Sequence, residues 1–250
     1  MPSTLLQFRP AEYVAAMRMT DPGEVASILR RPDLDAEWPA CERQIASLFA
    51  AAPTTGSVNP GDRRALFYLV RHFKPTLVLE IGSNVGGSTL SMAMALRLNM
   101  DDGADPCSLT TVDKSDVNAL WKGGPRDRIA SIGMAAHVDF VVSDSAKYLG
   151  ATETRFDFVF VDGDHDADVV LNDVTGACRC LGRDGIIVLH DYFPDGKPLW
   201  SNNKVIAGPY HAIERLRRDG VAITAMPLGE LPWSTKLGSG ITSLAMLTRE

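Results

Sequence analysis

The sequence predicts an α/β fold built on a doubly wound, mostly parallel sheet, and two observations carry that expectation. From Thr76 onward, short apolar runs ending at polar residues alternate with helical segments, the pattern that lays helices on both faces of a parallel sheet. The most distinctive run, residues 77–88, reads Leu-Val-Leu-Glu-Ile-Gly-Ser-Asn-Val-Gly-Gly-Ser. It is a buried strand that ends at an acidic residue and a glycine-rich turn into a helix, at the sheet edge where such folds place their ligands.

The chain has 250 residues, 45% of them hydrophobic, enough for one α/β domain of ordinary size with its own core. We divide it into an N-terminal helical extension, residues 1–52, and the sheet domain, residues 53–250. In the extension, short helices are expected at Ala11 to Met17, at Pro22 to Leu29 with Asp21 as N-cap, and at Glu37 to Ala51 with Ile45, Leu48 and Phe49 as an apolar stripe. Pro53 to Asp62 is a loop by composition, and Arg63 to Phe73 a helix with Leu66, Phe67, Val70 and Phe73 on one face, ending at Lys74-Pro75.

Strands are expected at Thr76–Gly82, Ser108–Asp113, His137–Ser143, Phe156–Asp162 and Gly185–His190, with helices between most of them and Ser88 to Leu98 helical. The last stretch differs. A helix at Tyr210–Arg218 precedes strands at Val221–Pro227 and Thr242–Thr248, and the loop Leu228–Ile241 lets the final strand turn antiparallel. The expected architecture is therefore a seven-stranded sheet with its last strand antiparallel.

Composition excludes several classes of function. A net charge of −6 and a pI near 5.4 give no basic footprint for nucleic acid or an anionic membrane, so a small-molecule substrate is favoured. No basic n-region with a long apolar run opens the chain and no run approaches membrane-spanning length, which makes the cytoplasm the expected compartment. Cys41, Cys107, Cys178 and Cys180 are too few and too irregular for a disulfide framework. Cys178 and Cys180 point about 200° apart around a helix, which favours packing over shared metal ligation.

Three strands end in potential ligands. Glu80 closes the first; Phe156-Asp157-Phe158-Val159-Phe160-Val161-Asp162-Gly163-Asp164-His165 ends in an acidic cluster and a histidine; Gly185-Ile186-Ile187-Val188-Leu189-His190-Asp191 ends in a His-Asp pair. Parallel neighbours deliver their carboxyl ends to one edge, so Asp162, His190 and Asp191 converge beside Gly82, a set suited to a divalent cation such as Mg2+. A dinucleotide turn is the competing reading of the glycine loop. It fails on spacing, because Asn84 stands where the second glycine must let pyrophosphate approach.

The run Glu80-x-Gly82-x-x-x-Gly86 resembles the first motif of class I S-adenosylmethionine-dependent methyltransferases. With Asp162-Gly163-Asp164-His165 and His190-Asp191, residues 53–191 are similar to the metal-dependent O-methyltransferase branch, which includes catechol-type enzymes and natural-product sugar methylating relatives. The resemblance implies S-adenosylmethionine and a divalent metal ion as cofactors. It places Glu80, Gly82 and Ser83 at the methionine pocket, Ser88 on the methionine carboxylate, Asp113 on the ribose hydroxyls, and Asp144 with Ser145 at adenine. It also puts Asp162 beside the cofactor and on the metal with Asp191, and makes His165 the general base. The branch often has a carboxylate or amide pair where this chain has His190-Asp191, so His190 is either a ligand or a neighbour of the ion.

Such a site suits oxygen acceptors. Alignment of the acceptor with the methyl carbon is worth on the order of 7–11 kcal/mol. Ionising an alcohol-like hydroxyl at pH 7 costs roughly 12 kcal/mol against about 4 for a phenol, so a metal and a histidine base matter most for an alcohol. The segment Tyr192–Pro209 is expected to select the acceptor, with Tyr192, Trp200, Tyr210 and Trp233 as a candidate wall. Transfer to nitrogen, a non-catalytic S-adenosylmethionine binder and an oxidoreductase on the same sheet are the rivals. A homodimer, with no nucleic-acid or membrane partner, is the expected assembly.

Overall fold

The computed structural model describes residues 14–49, 57–120 and 123–250. Parts of three expected segments, residues 11–13, 50–51 and 53–56, lie outside them. Helices α1 (Pro22–Ile28) and α2 (Pro32–Phe49) lead to α3 (Pro60–Phe73), β1 (Leu77–Ile81) and α4 (Gly87–Asp101). Next come β2 (Ser108–Asp113), the short α5 (Val117–Leu120) and α6 (Pro125–Ser131), β3 (Val138–Val142) and α7 (Ser145–Ala151). The chain finishes with β4 (Phe156–Val161), α8 (Ala167–Arg179), β5 (Leu181–Leu189), α9 (Gly208–Arg218), β6 (Ile223–Pro227) and β7 (Ala245–Arg249).

The strands form one seven-stranded sheet in the order β3-β2-β1-β4-β5-β7-β6, parallel except for β7, which runs antiparallel to both β5 and β6. Its winding reverses between β1 and β4, which opens a crevice at their carboxyl ends. Alternate residues of the central strands serve opposite faces. Phe158 and Phe160 join the apolar layer of α2, α3 and α4, whereas Val159 and Val161 join that of α8 and α9. Both faces are covered, which is why β4 is apolar without a break from Phe158 to Val161.

Helix starts follow their local chemistry. Asp21 caps α1 by accepting from the Glu24 amide at 2.9 Å, with Pro22 as the first helical residue. Asn59 and Pro60 do the same for α3, where Asn59 accepts from the Asp62 amide. Two expected boundaries were late for one reason: α2 begins at Pro32, not Glu37, and α3 at Pro60, not Arg63, because a proline opening a helix was read as loop. The helix also continues through Pro39, where packing of Leu34, Trp38, Cys41 and Ile45 into the core outweighs the lost backbone hydrogen bond. Strand β5 starts four residues early, at Leu181, across a register shift against β4 beside Asp184, whose φ is 56°.

Candidate active site

The register of the sheet sets the site. Ile81 pairs with Val161 and Val161 with Leu189, so Gly82, Asp162 and His190 stand level at three adjacent strand ends. Gly82 has φ +96°, and a side chain there would bring Cβ to 2.1 Å from the Asp162 carbonyl oxygen. Its glycine thus admits the backbone of the β4 turn, whereas the sequence suggested an approaching ligand. Gly87 opens α4 beneath Ser57, whose Oγ would lie 2.3 Å from an added Cβ.

Glu80 is fully buried and takes hydroxyl donors from Ser88 at 2.5 Å, Thr89 at 2.5 Å and Thr111 at 2.6 Å. Burial pushes its carboxyl up to about 7 against those donors. Ser88, expected on the methionine carboxylate, is itself 3% exposed and directed at Glu80, because a desolvated carboxyl draws the nearest hydroxyls. Ser83 is likewise buried, with Oγ 2.5 Å from Thr111 Oγ1, while its amide donates to Asp113.

Asp113 closes β2. Its Oδ2 accepts from the amides of Ser83 and Asn84 at 3.1 and 3.0 Å, and Oδ1 from that of Ser115 at 2.9 Å, which ties the glycine turn to the neighbouring strand. Each oxygen retains accepting capacity toward the small cleft bounded by Asp113, Asn118, Phe140 and Val142. Val142 is 57% exposed on that cleft. Asp144 caps α7 by accepting from the Lys147 amide at 3.0 Å, and Ser145 is the first residue of that helix. A separate groove between α1 and residues 226–232 contains none of these strand-end groups.

The centre of the site is a chain of carboxylates and imidazoles. His190, 6% exposed, places Nδ1 at 2.8 Å from Asp162 Oδ1 and Nε2 at 3.2 Å from Asp62 Oδ2. Burial works against its charge, yet Asp162 and Asp191 with these two hydrogen bonds hold it well above the usual histidine range. With a carboxylate at each ring nitrogen, the protonated ring has an acceptor for both of its N–H groups. Asp62, 0% exposed in the first turn of α3, also accepts from Asn59 Nδ2 and Thr242 Oγ1, each at 2.5 Å. Both His190 ring nitrogens thus face carboxylates, and the ring lies outside the group of Asp162, His165 and Asp191 whose ligand atoms cluster.

His165 takes the exposed end. Its Nε2 lies 3.1 Å from Asp191 Oδ2, and that hydrogen bond raises its pKa despite partial burial. Asp191, at φ 50°, also accepts from Ser243 Oγ at 3.2 Å. Burial would raise the Asp191 carboxyl, but His190 and His165 bring it well below the usual carboxylate range. Ligand atoms of Asp162, His165 and Asp191 lie within 4.8 Å of one another, the group among the described residues that could hold a metal ion. Three carboxylates, Asp62, Asp162 and Asp191, surround the His190 ring, with Asp62 on its fully buried side.

Of the candidate wall, Tyr192 and Tyr210 pack 6.0 Å apart and Trp200 lies against Phe193 at 5.7 Å. Trp233 does not belong there. Its ring packs on Tyr68 and its Nε1 donates to the Gly61 carbonyl, because residues 230–242 fold back over the start of α3. Sequence reasoning missed Asp62, which reaches His190 across 128 positions, and Thr242 and Ser243. It also missed Arg63, whose side chain packs beside Gly87 and over the Phe49 ring at 5.7 Å, with no hydrogen bond or ion pair among the described residues. Burial lowers its pKa. Cys178 and Cys180 are free buried thiols, with burial raising them to about 12 and about 11, so packing is their role.

A sheet of this order, with acidic groups at the ends of β1, β2 and β4, is the fold that the resemblance to class I S-adenosylmethionine-dependent methyltransferases implies. Residues 79–192, which span every strand-end group from Glu80 to Asp191, match the family model described as a methyltransferase domain. Solved structures with the same fold include an O-methyltransferase from Bacillus cereus in complex with S-adenosylhomocysteine, at 20% identity and a TM-score of 0.61 over 84% of this chain and 91% of that one. The O-methyltransferase TomG from Streptomyces achromogenes, involved in tomaymycin synthesis and solved with S-adenosylmethionine, matches at 19% identity and TM-score 0.61, covering 84% and 89%. A Podospora anserina methyltransferase bound to S-adenosylhomocysteine matches at 17% and 0.58, covering 88% and 96%. Among the described residues no helix is long and apolar enough to cross a membrane.

Glu80 makes stability depend on pH in a defined direction. Its folded pKa of about 7 exceeds the ordinary 4.5, so between these values the folded protein holds a proton that the unfolded chain has lost. Its contribution is full below about 4.5, falls as pH rises through about 7, and amounts to on the order of 3 kcal/mol. Urea unfolding at pH 5 and pH 7.5 should show Glu80→Gln losing less stability than the wild type over that interval. Equal losses would contradict the assignment.

Proposed function

We propose that the enzyme transfers the methyl group of S-adenosylmethionine to a hydroxyl of a small molecule, with His165 as general base. The observation that carries this reading is the His165–Asp191 pair at the open end of the carboxylate chain. Asp191 receives the Nε2–H, which fixes the tautomer and leaves Nδ1, without a hydrogen bond among the described residues, to accept the acceptor's proton. The acceptor oxygen then attacks the methyl carbon, the carbon–sulfur bond breaks, and its electron pair stays on sulfur to give S-adenosylhomocysteine. Sugar-like or other natural-product alcohols are favoured over catechols, since a base matters most for the less acidic hydroxyl.

Asp162, Asp191 and His165 fit a divalent cation by their spacing and by their hard oxygen donors. In this reading the two carboxylates hold it and His165 keeps its proton-accepting role. Such an ion would supply positive charge to an oxygen losing its proton.

For the cofactor, Asp113 receives the ribose hydroxyls, and Phe140 and Val142 give the adenine an apolar wall, with Asp144 and Ser145 at its edge. Ser83 and Gly82 shape the turn, and Glu80 supports it from beneath. Arg63 replaces Ser88 as the partner of the methionine carboxylate, being a half-buried cation beside the first turn of α4 with no hydrogen bond or ion pair among the described residues.

His165→Ala should lower turnover by roughly 10²–10⁴ while S-adenosylhomocysteine affinity, read by calorimetry, changes little. An unimpaired variant would remove His165 from the chemistry, and methylated nitrogen in place of oxygen in the product would redirect the reading. Arg63→Met should weaken S-adenosylhomocysteine roughly tenfold to a hundredfold, the worth of a charged hydrogen bond, yet leave 5′-methylthioadenosine, which lacks the carboxylate, unaffected. Equal losses for both ligands would count against the carboxylate contact.

A further inference from the structure

The segment between β6 and β7 is an arm planted on the active site. It closes on itself through the Leu231 amide to the Gly240 carbonyl at 2.8 Å and the Thr235 amide to the Ser239 carbonyl at 2.7 Å. Its foot is fixed where Thr242 donates to Asp62 and Ser243 to Asp191. From near its tip Lys236 reaches across to Trp200, with Nζ 4.8 Å from the ring centroid. Trp200 belongs to the segment that follows Asp191, so the arm and that segment meet at this contact, within electrostatic reach of Asp191.

Both groups are donors without an acceptor. Lys236 is half-buried and has no hydrogen bond or ion pair among the described residues, and its charge helps to depress the Asp191 carboxyl. Trp200 is 8% exposed, and its indole Nε1 is closed off from solvent with no hydrogen-bond partner. A buried N–H left unpaired is costly, and an acceptor atom brought by a ligand would relieve that cost. A neutral hydroxyl would serve the indole alone and leave the ammonium to the ring, and an amine would be repelled by it. A carboxylate offers two oxygens to two donors. A dianionic phosphate would meet the negative charge of Asp62, Asp162 and Asp191 with only one cation to offset it.

We propose that the acceptor is a hydroxylated carboxylic acid whose carboxylate is received by Lys236 Nζ and Trp200 Nε1. This rests on the reading of the enzyme as an oxygen methyltransferase, and it names the substrate class for that site.

The test uses the protein loaded with S-adenosylhomocysteine and a panel of hydroxylated carboxylic acids, aromatic acids and uronic acids among them, each paired with its methyl ester. Calorimetry should show at least one acid bound tenfold or more tighter than its ester. Lys236→Met, which keeps the stem over the ring, should bring that ratio to about one, and Trp200→Phe should lower it severalfold. Retained S-adenosylhomocysteine affinity in both variants would establish that they fold. Acids and esters bound alike by the wild type, or a preference that survives in Lys236→Met, would overturn the inference. Product analysis with S-adenosylmethionine separates the two layers. Methylated hydroxyls without acid preference sink the carboxylate site alone, whereas acid-selective binding with no oxygen-methylated product keeps that site and sinks the oxygen-transfer reading.

Discussion

The buried contact of His190 with Asp62 on one ring nitrogen and Asp162 on the other is the interaction on which the rest of the site depends. It joins the first turn of α3 to the ends of β4 and β5, and through Asp62 and Thr242 it reaches the connection into β7. Burying such a group is expensive unless every charged neighbour is paired, and removing one partner typically costs 3–5 kcal/mol because a charge is stranded. Asp62 therefore accepts from Asn59 and Thr242 as well as His190, and Asp191 from Ser243 and His165. The backbone positions of the catalytic groups follow from that satisfied network rather than from the loops that carry them.

In the proposed reading two histidines divide the work. His190 has both nitrogens engaged and orders the carboxylates, while His165, half-exposed at the far end, keeps one nitrogen for chemistry. Glu80 does for the cofactor side what His190 does for the acceptor side. It is a desolvated carboxyl held by three hydroxyls under the glycine turn, and Asp113 fastens that turn from the next strand. In the same reading the Lys236 ammonium provides the positive charge that an anionic acceptor needs.

Much of this was legible in the chain. Five parallel strands and their acidic ends could be read because an apolar run covered on both faces has a strong signature; the convergence of Asp162 with His190-Asp191 followed from adjacent strand ends sharing one edge, and His165 from the family resemblance. Roles within the edge were harder. Whether Ser88 faces ligand or Glu80, and whether His190 ligates or braces, depends on partners such as Asp62 and Thr242 that no local pattern links to them. Arg63 read as an ordinary first-turn cation, and its isolation beside Gly87 exists only once α3 packs on α4. Trp233 failed as a wall residue because its loop doubles back onto Gly61.

The claim that His190 braces the site while His165 acts in it is open to a direct measurement, nitrogen-15 NMR of the histidine rings with and without added divalent cation. The account predicts that at pH 7.5 both His190 nitrogens carry protons and do not respond to the ion. A deprotonated His190 nitrogen, or one whose resonance moves when the cation binds, would contradict it.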